Sequence, residues 1–147
     1  METTQHQEWR SRQRIDVGAV LKAAIAAGVI FFLLSGGSPW STAGTMNAIM
    51  GRDLPFGMFT LVGLHFLLAV VYTFIIAAAI YRFRTPMAVP LGVLVGIALY
   101  GVNYVVYSAS GISQKSPEFR PIMVHLLFAL FASLIYKAMS VPKPLKA

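Results

Sequence analysis

The sequence predicts an all-α fold, an antiparallel four-helix transmembrane bundle with a short outer interfacial helix. Three observations carry that expectation: four long apolar stretches, strong charges confined to their flanks, and Gly/Ser/Pro clusters between them. The chain has 147 residues, of which 57% are hydrophobic and 12% charged, and its mean hydropathy is +0.70. A soluble domain carries about 25% charged residues. This balance is wrong for water and right for lipid. Four spans of roughly 20 residues each, with their connections, use nearly the whole chain, which leaves one bundle and no separate soluble domain.

Residues 1–14 (METTQHQEWRSRQR) are polar and basic and read as a cytoplasmic lead. The first span is expected over 15–34, with Asp16 at its edge and Lys22 inside. Its apolar run exceeds the roughly 7–15 residues of a cleaved signal peptide, so it reads as a retained helix. Ser35-Gly36-Gly37-Ser38-Pro39 ends it. The second span falls near 60–81, closed by Arg82 and Arg84. The third covers about 87–108, with Pro90 in its first turn, where proline is tolerated. The fourth opens at Pro121 and runs to about 139, and Pro142 and Pro144 in the 140–147 tail prevent its continuation.

The connection from 35 to 59 is too apolar to float in water. Ser38-Pro39 has the form of an N-cap followed by proline, and Trp40, Ala43, Met46 or Asn47, and Met50 recur at helical spacing before Gly51. An interfacial helix over about 39–51, anchored by Trp40 at headgroup level, fits that pattern. An apolar loop packed over the bundle mouth is the plainer reading. Either would cover the outer end.

The net charge is +7. With the N-terminus inside, nine Lys/Arg (Arg10, Arg12, Arg14, Lys22, Arg82, Arg84, Lys137, Lys143, Lys146) flank the cytoplasmic side, against Arg52, Lys115 and Arg120 outside. That asymmetry puts both termini in the cytoplasm, in the manner of a multi-pass bacterial inner-membrane protein. The basic residues meet anionic headgroups rather than nucleic acid. The absence of cysteine excludes disulfides, iron–sulfur clusters and thiolate chemistry.

Polar side chains inside the spans are costly and need a reason. Lys22, about 10 Å along the helix from Ile15, can snorkel back to the headgroups. His65, Asn103 and His125 stand on three different spans, each roughly 6–8 Å below the outer face at 1.5 Å per residue. Tyr100, Tyr104 and Tyr107 form a stripe beside Asn103. The plain reading of this layer is interhelical hydrogen bonding that glues the bundle. A sharper reading is one haem b held between His65 and His125, since spans two and four would be diagonal in an up-down bundle. A bound metal is disfavoured, because two histidines without nearby carboxylates or thiols leave a divalent ion under-coordinated. A lipid, quinone or other hydrophobic small molecule beneath the outer helix is the remaining option.

Gly92 and Gly96 form a GxxxG whose small residues permit close helix approach, with intramolecular packing favoured over a contact between subunits. Gly28, Gly63 and Gly101 are assigned to packing as well. Residues 62–73 (VGLHFLLAVVYT) and 122–133 (IMVHLLFALFAS) share His, Leu and Ala in register. A duplicated helix pair is one reading of that likeness, and coincidence between apolar segments is the other.

The run WSTAGTMNAIMG, the histidine-bearing spans and ALYGVNYVVYS at 98–108 resemble a group of small four-helix bacterial inner-membrane proteins with no established activity. The likeness covers roughly 20–138 and implies architecture only. No Walker loop, HExxH, GxSxG or dinucleotide fingerprint is present. The expected role is therefore non-enzymatic: a binding or accessory subunit, in a larger membrane complex or a homo-oligomer. Its outward-side polar layer would comprise His65, Asn103, His125, Tyr104 and Tyr107. A haem b electron carrier and a small oligomeric transporter are the competing classes.

Overall fold

A computed structural model describes residues 15–34, 57–109 and 119–140. The interfacial helix expected at 39–51, both termini and most of the longer connections lie outside the described residues. Those described are helical, without a strand: α1 (Val17–Leu34), α2 (Met58–Ile80), α3 (Thr85–Ala109) and α4 (Phe119–Met139). Each is long and apolar enough to cross a membrane, as in a small polytopic membrane protein.

Local chemistry sets the helix ends. Asp16 is the N-cap of α1: its Oδ1 accepts from the Ala19 N–H at 2.9 Å and its carbonyl from Val20. The last carbonyls of α2 are capped from another helix, since Lys137 Nζ donates to Ile80 O and Tyr81 O, each at 3.3 Å. A cation at a helix C-terminus also opposes the negative end of the macrodipole. After Tyr81, a four-residue turn closed by Phe83 N–H to Ile80 O leads into α3, whose first turn hangs on the Arg84 carbonyl. That helix begins at Thr85, so Pro90 lies in its second turn rather than its first. Proline there leaves the Pro86 carbonyl without its helical donor, at an exposed edge where the loss is small.

Packing is uneven around the bundle. α1 and α3 each lie against both α2 and α4, and α2 also touches α4, so these two form the closed diagonal; α1 and α3 do not meet. The core is built from small residues: Ala23, Ala24, Ala27, Ala77, Ala88, Ala129 and Ala132 are fully buried. Small side chains let backbones approach, which is the main source of helix association in an apolar solvent. Gly92 and Gly96 follow this logic. A β-carbon on Gly92 would overlap Ser133 Oγ, and one on Gly96 would overlap the Ala129 β-carbon. Gly28 approaches Ala69 and Phe66 so closely that a β-carbon there would sit 3.2 Å from each.

Gly63 and Gly101 depart from their expected packing role. Among the described residues nothing lies within 4 Å of a β-carbon placed on either, because both fall on the exposed face of their helices. Lys22 is likewise exposed, with its stem outside the bundle.

Candidate functional site

The polar side chains expected at one depth fall into two groups. In the first, His65 is 6% exposed and its Nε2 lies 3.0 Å from the Gly28 carbonyl of α1. A carbonyl only accepts, so His65 Nε2 carries the proton and donates. This second bond to a carbonyl within α1 is reachable because Gly28 brings the two helices together. The imidazole is walled by rings: Phe31 at 5.3 Å, Phe32 at 5.6 Å and Phe66 at 5.4 Å between centroids. It is a buried pin between α1 and α2.

The second group spans three helices. Tyr72 Oη on α2 donates to Asn103 Oδ1 on α3 at 2.6 Å. Asn103 Nδ2 then donates to His125 Nε2 on α4 at 3.3 Å. Each partner's role follows from the next: the amide offers its oxygen to the phenol, so its NH2 faces the imidazole, which accepts only if His125 is neutral with its proton on Nδ1. The result is a directional chain, Tyr72 to Asn103 to His125. All three residues are half-buried, unlike His65. The Tyr100 ring stands edge-on to His125 at 5.3 Å and limits its rotation.

Phe31 separates the two groups. Its centroid is 5.3 Å from His65 and 5.7 Å from His125, and it also meets Phe128 edge-on at 5.8 Å. The two imidazoles therefore face a benzyl ring rather than each other across an open gap. Two histidines bracketing a haem would need that space and both of their Nε2 or Nδ1 atoms pointed into it. Here the Nε2 atoms are turned to Gly28 O and to Asn103 instead. Among the described residues there is no group of three His, Cys, Asp or Glu side chains able to hold a metal ion.

Of the tyrosines in the α3 stripe, Tyr104 contributes its carbonyl, which accepts from Ser108 Oγ at 2.9 Å. The side chain of Tyr107 lies outside the described residues. Tyr72 is the member that sequence reasoning missed. It lies seven residues, two turns, further along α2 than His65, and depth counted at Cα places it too low. A phenol reaches several ångströms from its backbone and keeps a polar tip that seeks a partner when buried. A tyrosine two turns from a polar layer is thus a signal the sequence did hold. Nothing comparable marks Phe31.

One buried hydroxyl is left over. Thr73 Oγ1 is fully buried and, among the described residues, has no hydrogen-bond partner, whereas Ser133 Oγ donates to the Ala129 carbonyl at 2.7 Å.

Compared with protein-family models, curated proteins and solved structures, the chain matches none of them.

Proposed function

We propose that this protein is a small non-enzymatic subunit of a bacterial inner membrane, an antiparallel up-down-up-down bundle with both termini in the cytoplasm. Its role is to bind or support a partner through the outward-side layer formed by Tyr72, Asn103 and His125. The observation that carries this reading is the hydrogen-bond chain through those three residues. Interhelical bonds of this kind are worth about 0.6 kcal/mol on average in lipid, with a maximum of about 1.7. A chain that contributes so little to stability, kept half-exposed across three helices, suits recognition as much as cohesion. His65, buried and bonded to backbone, suits cohesion alone.

The antiparallel reading draws support from the pairing of ends. The short turn at 81–84 joins α2 to α3, His65 near the start of α2 meets Gly28 late in α1, and Lys137 late in α4 meets the end of α2. The haem reading is disfavoured by Phe31 between the imidazoles. A transport path is disfavoured by the contact between α2 and α4 and by a core of buried alanines, which leave the bundle axis packed.

The test is site-specific photocrosslinking in native membranes. A benzophenone side chain at half-buried Val106, one turn from Asn103, should yield a discrete adduct heavier than the protein. The same probe at exposed Val17 should give only diffuse lipid labelling. Identical diffuse labelling at both positions would sink the proposal.

A further inference from the structure

The register shared by 62–73 and 122–133 is a statement about α2 and α4 only, and apolar segments coincide easily. The contacts made by α1 and α3 test it independently. Gly28 of α1 lies against Ala69 of α2, and Gly96 of α3 lies against Ala129 of α4. One turn on, the Phe32 ring meets His65 at 5.6 Å and 68°, and the Tyr100 ring meets His125 at 5.3 Å and 68°. These two contacts of the first hairpin thus map onto two in the second by two constant shifts. One is 60 residues between α2 and α4 (65 to 125, 69 to 129), the other 68 between α1 and α3 (28 to 96, 32 to 100).

Part of the burial pattern follows the same two shifts. The buried positions of α3 are Ala88, Gly92 and Gly96, and their counterparts Val20, Ala24 and Gly28 are all buried in α1. On the other pair, Thr73 and Ser133 are both fully buried hydroxyls, and Ile76 and Tyr136 are both fully buried large side chains. The shifts differ by eight residues because 35–57 separate α1 from α2 and only 110–118 separate α3 from α4, while α3 runs seven residues past the counterpart of Leu34 and α4 begins one residue after that of Met58.

We infer that the protein is a tandem pair of one helical hairpin unit, α1–α2 followed by α3–α4. The inner face of each unit is an interaction surface whose partner is a second copy of that unit. The orphan Thr73 then has a cause. In the second unit Ser133 Oγ fills the space left open by Gly92. In the first unit Ala24 stands at the glycine's place, so a methyl occupies the position where the second unit has none, and the equivalent hydroxyl, Thr73 Oγ1, has no partner among the described residues. The two histidines are likewise one residue used twice, a ring seated under an aromatic from its own unit. The polar bonds depart from the repeat: His65 pairs with the Gly28 carbonyl but His125 with the Asn103 amide, and the Tyr72–Asn103 bond runs between units, the position equivalent to Tyr72 being Ala132.

The experiment is a substitution scan of the full chain, reading the folded fraction of membrane-inserted protein by fluorescence-detected size exclusion. All small and polar replacements are made at 18–33, 61–78, 86–101 and 121–138. The expected result is that the tolerance profile of the first unit correlates with that of the second at shifts of 68 and 60. The correlation should fall away when either shift is moved by one to three residues. Loss of folding in individual variants is itself the signal, so no variant is uninformative. A correlation no higher at 68 and 60 than at neighbouring shifts would overturn the inference.

Discussion

The α1–α4 and α2–α3 seams are built differently. On α1, Ala19, Ala23 and Ala27 form a buried row beside the Gly28 row, and Phe31 continues it to meet Phe128 and His125 of α4. The α1–α4 seam is thus small-residue packing along most of its length, ending in rings. On the opposite side, α3 is buried over only 11% of its span, against 33% for each of the other three. Its buried residues, Ala88, Gly92 and Gly96, include the two glycines that pack on α4, and its hydrogen-bonded link to α2 is Tyr72 to Asn103. One seam is lined by buried small residues and rings, the other by a polar bond over looser contact. In lipid, where apolar surface gains nothing by leaving the solvent, close packing is the stronger device.

That ranking is broken most directly at Ala23, which is fully buried. Ala23→Leu forces three extra carbons into a fully buried position, and overpacking of this kind costs about 3 kcal/mol or rather more where neither helix can retreat. The expected outcome is loss of the monodisperse folded species in detergent and a thermal transition shifted down by more than 10 °C or abolished. A variant that melts like the parent would remove the α1–α4 seam from its leading position.

The polar seam should respond less. Asn103→Leu orphans the Tyr72 hydroxyl and the His125 acceptor at once, and is expected to cost about 1–2 kcal/mol. A double-mutant cycle with Tyr72→Phe isolates the bond itself, with a coupling of about 0.6–1.7 kcal/mol. The measurement is reversible unfolding in mixed micelles. A coupling near zero would mean that the phenol and the amide do not form the 2.6 Å bond in solution.

How far these features were legible follows from what each depends on. The four helices could be read from the sequence because length and apolarity are local quantities. So could the glycine pair at 92 and 96, because a missing side chain permits approach whatever the partner turns out to be. The same residue type misled at Gly63 and Gly101, where openness depends on which face the helix turns inward. A sequence nearly as apolar outside as inside does not mark that face. The residues of the polar layer were chosen by expected depth, which says nothing of their bonds. Rise per residue places Cα atoms, but whether His65 meets Asn103 or Gly28 depends on helix rotation, and Phe31 separates the histidines through packing alone.

A smaller effect is expected at the end of the α2–α4 diagonal. Lys137→Met keeps the apolar stem and removes the ammonium that holds Ile80 O and Tyr81 O. Loss of a cation from a helix C-terminus costs about 0.3–1 kcal/mol. Hydrogen exchange should rise at the amides of the 81–84 turn with little change near His65. Uniform acceleration along α2 would show instead that Lys137 supports the whole diagonal.

The smallest effect tests the looseness of α3 itself and has the opposite sign. Gly101→Ala adds a methyl where no described atom lies within 4 Å, so no packing penalty opposes it. Alanine in a helix interior is favoured over glycine by about 0.8–1.0 kcal/mol in water, chiefly through chain entropy. Part of that gain should survive in lipid as a melting shift of one to a few degrees upward. Gly96→Ala, one and a half turns away, must go the other way, because its methyl meets Ala129. The pair is informative because helix propensity is the same at both sites and the neighbours differ. A destabilising Gly101→Ala would mean that the exposed face of α3 is covered by some other part of the chain, by a second subunit or by a partner. The polar seam would then be one side of an interface, and its weakness within the bundle would be offset from outside.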